Sequence, residues 1–238
     1  MRSVYVPKQH GAWAMLILPL LFGVIASAPV WQHALLFAAW LLAYLFAHAA
    51  LQWVRSKRRA VWLAPLKLYG GLLLPAGAAL LILEPELLPL LPLAVPFMLV
   101  NLYYAKRNRE RAFLNDLAAV LLFSLMTFAA FRVGNGTDAA LAFELFALSV
   151  LYFTGTIFYV KTMIREKHHK AFYWYSVLYH AAFLAVVALL YPPALLPAAA
   201  ALLVRAVMMP RLGPSVKTIG MLEIAGAVLV LICAWAAY

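Results

Sequence analysis

The sequence predicts an all-α protein, a polytopic bundle of about nine transmembrane helices, and three observations carry that reading. Hydrophobic residues make up 67% of the chain and charged residues 11%, with a mean hydropathy of +0.93, whereas a soluble domain is about 45–50% apolar. Long apolar runs follow one another along all 238 residues. Finally, Lys and Arg gather in every second connection between those runs. A spanning helix takes about 20 residues, so residues 1–238 read as a single integral membrane domain with no soluble domain left over.

The runs, bounded by charges, Pro or Gly, fall at 12–27, 32–54, 61–83, 87–105, 112–131, 139–160, 171–191, 194–209 and 218–238. Lys8 precedes the first, but no small-residue cleavage site in a polar stretch follows it, so it reads as a retained span and not a removed signal peptide. The eighth is the shortest, about 24 Å at 1.5 Å per residue against a hydrocarbon core of about 30 Å. It is expected either to tilt into a thinner region or to extend through Arg205 and Pro210. The lone Cys233 excludes an internal disulfide and a cysteine-rich metal site.

The formal charge of +11 marks sidedness and not a nucleic-acid partner. Arg55, Lys57, Arg58 and Arg59 occupy one connection, Lys106, Arg107, Arg109 and Arg111 another, Lys161, Arg165, Lys167 and Lys170 a third, and Arg211 with Lys217 a fourth. The alternate connections hold Pro29, Glu84 with Glu86, Gly134-Asn135-Gly136 and Pro192-Pro193, with Arg132 as their one cation. The positive-inside rule then puts the N-terminus in the cytoplasm and, after nine spans, the C-terminus outside. Contact with anionic lipid is an ordinary role for most of these loop cations.

Polar side chains inside spans are expensive and call for a partner, a wet cavity or a function. They are His48, Gln52, Lys67, Asn101, Asn115, Asp116, Glu144, Tyr159, His180, Arg205 and Glu223. Gln52, Asn101, Asn115, Asp116, Tyr159 and Lys161 all fall within about one or two turns of the basic boundary, and Glu223 about 9 Å beneath Lys217. His10 lies just before the first span. If these faces point inward they form a polar, mostly basic chamber open to the cytoplasm. The competing reading is helix-to-helix hydrogen bonding and snorkelling, which weighs most for Lys67 and Arg205. Lys161 and Arg165, at i and i+4, share one helix face and can converge on an anion; an ordinary basic helix end is the alternative. His10, His48 and His180 lie on different spans and His33 at the other end, so no histidine metal site is expected. For His180, a bond to a neighbouring helix competes with a functional role, and Phe172-Tyr173-Trp174-Tyr175 reads as an interfacial belt.

The stretch Pro7-Lys8-Gln9-His10-Gly11-Ala12-Trp13, the basic run at Arg55, Tyr103-Tyr104-Ala105-Lys106-Arg107 with Asn115-Asp116-Leu117, and the segment from Tyr159 to Lys167 with His180 beyond it resemble the YwiC-like family of bacterial membrane proteins. That resemblance covers essentially the whole chain and implies a multi-pass protein of the bacterial inner (cytoplasmic) membrane. A more distant resemblance is to the UbiA superfamily of intramembrane prenyltransferases, through the start of the first span, Tyr104/Lys106/Arg107 and the charged segment after the sixth span. It implies a nine-helix fold with a cytoplasm-facing site. In that superfamily aspartate-rich motifs hold magnesium, which holds the prenyl diphosphate. Here the corresponding positions read Gln52-Trp53-Val54-Arg55-Ser56-Lys57-Arg58-Arg59 and Lys161 to Lys167, with Glu166 as the one carboxylate. Magnesium favours carboxylate and phosphate oxygens, whereas Lys and Arg bind phosphate directly.

Two functions follow as expectations. One is a metal-independent, UbiA-like transferase in which Arg55, Lys106, Arg107, Tyr159, Lys161, Arg165, His180, Lys217 and Glu223 hold an anionic, phosphorylated lipid, a prenyl lipid among the candidates, and Asp116, Asn115 or His10 positions or deprotonates an acceptor. The other is a transporter, lipid-binding or accessory protein using the same cavity without chemistry. Membrane lipids are the expected partners and nucleic acid is not. No cofactor is expected, with magnesium left open.

Overall fold

A computed structural model describes residues 5–7, 10–56, 59–167 and 169–238, with His10 through its backbone alone. The helices are α1 (His10–Ile25), α2 (Gln32–Arg55), α3 (Ala60–Leu83), α4 (Leu91–Lys106, entered through a 3-10 turn at Pro85–Leu90), α5 (Phe113–Ser124) and α6 (Met126–Val133). They continue with α7 (Ala139–Val160), a π-helical segment at Lys161–Arg165, α8 (Lys170–Leu190), α9 (Leu196–Leu212, entered through Pro193–Leu195) and α10 (Val216–Ala237). Among the described residues there is no strand. Among the described residues eight stretches are long and apolar enough to cross a membrane, and α1 is a shorter apolar helix. The protein is a multi-pass membrane protein.

The eighth run follows the longer of its two expected courses: it takes in the 3-10 turn and continues through Arg205 and Pro210 to Leu212, 20 residues in all. The shortest is α1, at 16 residues. The run at 112–131 divides at Leu125, although no Pro or Gly lies within it. The division falls where α6 presses into α1: Thr127 Oγ1 donates to the Pro19 carbonyl at 3.0 Å. A Cβ on Gly23 would run into the Thr127 carbonyl and Ala130, so only glycine permits this approach. Ser124 and Ser149 also share a buried hydroxyl bond of 2.9 Å.

Lipid tails are as apolar as leucine, so helices in a bilayer associate through close packing and interhelical hydrogen bonds. The main core follows that rule, with Ala142, Ala199 and Ala234 interleaved with Phe22, Leu145 and Phe153 among α1, α5, α7, α9 and α10. By contrast, α3 packs along α2 and meets α4 chiefly through the 3-10 turn.

Contacts define two ends. At one end the helix ends and the loop before α5 carry Arg55, Arg111, Arg165 and Arg211, and Arg55 pairs with Glu110. At the other, Arg132 lies 3.9 Å from Glu86, and His33, 7% exposed, accepts from the Val30 N–H and bonds the Ala130 carbonyl at 2.9 Å. Glu144 there accepts from the Tyr238 hydroxyl. Burial, with the neighbouring Glu144 charge, pushes the Tyr191 phenol up to about 12, and burial raises that of Tyr238 as well, so both hydroxyls remain neutral donors.

Candidate functional site

The π segment organises the basic end. Its i→i+5 bond runs from the Glu166 N–H to the Lys161 carbonyl at 2.7 Å, a geometry that is rare and concentrates at functional sites. Lys161 and Arg165 converge as their spacing predicts, and the group they meet is Asp116: Lys161 Nζ lies 2.9 Å and Arg165 Nη1 3.8 Å from its Oδ2. Helix polarity favours the arrangement, because Asp116 sits in the first turn of α5 and Lys161 just beyond the end of α7. Lys161, whose side chain is 7% exposed, also donates to the Arg111 carbonyl at 2.5 Å.

A chain of polar contacts continues across the loop between α4 and α5. Asn115 Nδ2 donates to the Glu110 carbonyl at 2.7 Å and Asn101 Nδ2 to the Asn115 carbonyl at 3.3 Å, while the Glu110 carboxylate holds Arg55. Asn115 Oδ1 is buried without a hydrogen-bond partner among the described residues.

These residues form one end of a cavity of about 1030 Å³, as large as the upper range of small-molecule sites. Four cations line it, Arg55, Arg111, Lys161 and Arg165, against Glu110, Asp116 and a third carboxylate, Glu223. Glu223 is neutralised from behind by Arg205 at 2.6 Å. Deeper in, the wall becomes apolar, with Leu80, Leu90, Leu91, Met98 and Met126. A row on α2, Trp40, Tyr44, His48 and Gln52, links the two zones. These four are spaced by four residues and so share one helix face, a run of about 18 Å.

Asn115, Asp116, Arg55, Lys161, Arg165 and Glu223 therefore come together on one cavity wall. Lys106, Arg107 and Lys217 are exposed and stand outside that wall; Arg107 stacks over the Tyr103 ring at 4.6 Å. Tyr159 is fully buried beneath the Arg205 guanidinium, 4.0 Å from ring to cation. His180 is 2% exposed, and its Nδ1 donates to the Ser176 carbonyl at 2.7 Å. The His10 side chain lies outside the described residues, as do Lys57, Arg58 and His168. Sequence reasoning missed Glu110, Arg111 and Thr156 as wall residues; the only signal for Glu110 was that it is the sole carboxylate in a basic loop. Of the two ordinary roles the sequence offered Arg205, snorkelling or helix-to-helix hydrogen bonding, the structure shows the second, with Glu223 as the partner.

The model of the family described as "YwiC-like protein" matches residues 6–131, more than half of the chain. A Bacillus subtilis (strain 168) protein described as "Uncharacterized protein YwiC" is 40% identical over 181 residues, 74% of this chain and 73% of its own length. The chain belongs to the YwiC-like family. A second relative, an "Uncharacterized protein" of Haemophilus influenzae, is 30% identical over 225 residues and 94% of both chains, so the similarity extends to nearly every helix of this YwiC-like protein. The region matched by the family model runs from α1 to α6 and includes Arg55, Glu110, Asn115 and Asp116. Lys161, Arg165 and Glu223 lie beyond it. No solved structure matches the chain.

Proposed function

We propose that this YwiC-like protein binds a phosphorylated or otherwise anionic amphiphile in its large cavity, with the basic end facing the cytoplasm of a bacterial inner membrane. The observation that carries the reading is one continuous cavity with two chemistries, cationic and polar at the basic end and apolar beyond it. Lys161, Arg165, Arg55 and Arg111 supply charge-assisted donors for a phosphate or diphosphate head. The apolar stretch among α2, α3 and α4 takes the chain.

The residues do not fit a magnesium site of the UbiA kind. Asp116 and Glu110 are each engaged by cations, and among the described residues no three His, Cys, Asp or Glu side chains converge. Direct binding of the anion by Lys and Arg is the chemistry this wall offers.

The distant UbiA resemblance supports a transferase in which Asp116 or Asn115 orients an acceptor. The pairing of Asp116 with two cations supports the second reading, binding or transport without chemistry, because its Oδ2 is already committed to Lys161 and Arg165.

Native mass spectrometry of the detergent-purified protein beside a Lys161→Ala/Arg165→Ala variant tests the common core of both readings. A phosphorylated lipid retained by the parent and lost from the variant is expected; identical lipids on both would overturn it. Transfer is then assayed with that lipid. Sidedness is checked by cysteine labelling in intact cells, where Asn135→Cys is expected to react with an impermeant maleimide and Lys106→Cys is not.

A further inference from the structure

A second concavity, about 410 Å³, lies at the same end of the bundle but on the outer side of the π segment. The segment divides its residues between the two: Lys161 and Arg165 line the large cavity, whereas Thr162 and Met163 line the smaller one. Lys167, Lys170 and Arg211 converge on it from the loop before α8, the start of α8 and the end of α9, with Tyr173 and Trp174 on its wall. The Arg211 guanidinium is oriented by the Tyr173 hydroxyl at 3.4 Å. Trp174, 57% exposed, is the amphipathic ring type that seats at headgroup level.

Charge separates the two sites. In the large cavity Arg55, Lys161 and Arg165 each face a carboxylate. In the smaller one Lys167, Lys170 and Arg211 form no ion pair among the described residues, and Glu166 is the single carboxylate on the wall. We propose that this pocket is a separate phosphate-binding site, in which Lys170 and Arg211 hold a phosphate group between them while Tyr173 and Trp174 pack against what carries it. The bearer is either a phospholipid headgroup or a free phosphate compound. Its volume, near the lower end of small-molecule sites, suits a headgroup-sized ligand.

The test measures the affinity of the full-length protein in neutral detergent for short-chain phosphatidylglycerol and, separately, for inorganic phosphate and pyrophosphate. Lys170→Gln/Arg211→Gln is compared with a charge-matched control, Lys106→Gln/Lys217→Gln, which removes two exposed cations from the same end. Thermal midpoints establish that both variants are folded, and Lys170→Arg is expected to retain binding. Losing two charge-assisted contacts is expected to weaken binding at least about tenfold, against less than about twofold for the control. Loss for the lipid alone assigns a headgroup, and loss for the free anions as well assigns a soluble phosphate compound; both uphold the site. Equal weakening in the two variants means diffuse surface charge, and no weakening in Lys170→Gln/Arg211→Gln means no site; either overturns the proposal.

Discussion

The two sides of the bundle are built differently. Half of the α7 span and 44% of α10 are buried within the protein, against 11% of α3 and 6% of the span containing α4. On the dense side, alanines and a glycine bring helices into close contact and a buried ion pair, Arg205 with Glu223, ties α9 to α10. On the sparse side, α3 and α4 face lipid over most of their surface and enclose the apolar part of the cavity. The dense side is a frame, and the sparse side is a wall that leaves room for a guest. The Lys161–Asp116 contact belongs to the frame, where it links the end of α7 to the start of α5, and both residues line the cavity.

The largest effect is expected from breaking the frame. Arg205→Ala leaves Glu223, 3% exposed, as an uncompensated buried carboxylate, a change that costs about 3–5 kcal/mol when a buried pair loses one partner. The thermal midpoint in detergent should fall sharply and the yield of folded protein with it. Arg205→Met combined with Glu223→Leu removes both charges and should recover most of the loss. Equal losses for the single and double variants would mean that packing volume, and not charge pairing, holds α9 to α10.

A matched pair of glycine substitutions reads the two sides against each other. At Gly23 an added methyl collides with the backbone of α6, so Gly23→Ala is expected to destabilise by about 1–3 kcal/mol. At Gly77, on the cavity side of α3, an added Cβ meets nothing within 4 Å, so Gly77→Ala should be neutral or stabilise by up to about 1 kcal/mol through helix propensity. Opposite signs in the two thermal midpoints are the expected result. A loss at Gly77 would show that α3 is more tightly packed than the cavity requires.

The nine apolar runs and nearly all their edges were legible in the sequence because charge clusters and Pro punctuate them, and polar groups in lipid are too costly to place at random. Lys161, Arg165 and Asp116 were legible for the same reason, together with their spacing and their depth. Rotation about each helix axis was not. A span that is apolar on every side has no polar face to tell inside from outside, so Lys106 and Arg107 could not be separated from Arg55 and Arg111 by sequence alone. Arg205 and Glu223 each stood out as an intramembrane charge, but their partnership depends on α9 and α10 turning toward one another. The division between α5 and α6 has no local cause in its own residues; it arises from the contact with Gly23 and Pro19 on α1.

The smallest effects belong to the exposed cations at the end of α4, and they sharpen the line between wall and surface. Lys106 makes no ion pair among the described residues, so Lys106→Ala should change stability by no more than about 0.5 kcal/mol. Arg107 stacks on Tyr103, and Arg107→Ala should cost about 0.5–1 kcal/mol, the value of an exposed cation–π contact. Neither should alter lipid retention in native mass spectra, whereas Arg55→Ala, whose partner Glu110 lines the cavity, should reduce it. The comparison isolates position from charge, since all three variants remove one cation from the same end of the bundle. If Lys106→Ala or Arg107→Ala emptied the cavity as fully as Lys161→Ala/Arg165→Ala, the end of α4 would have to turn inward around a bound head group, and the cationic wall would be larger than the four residues that line it here.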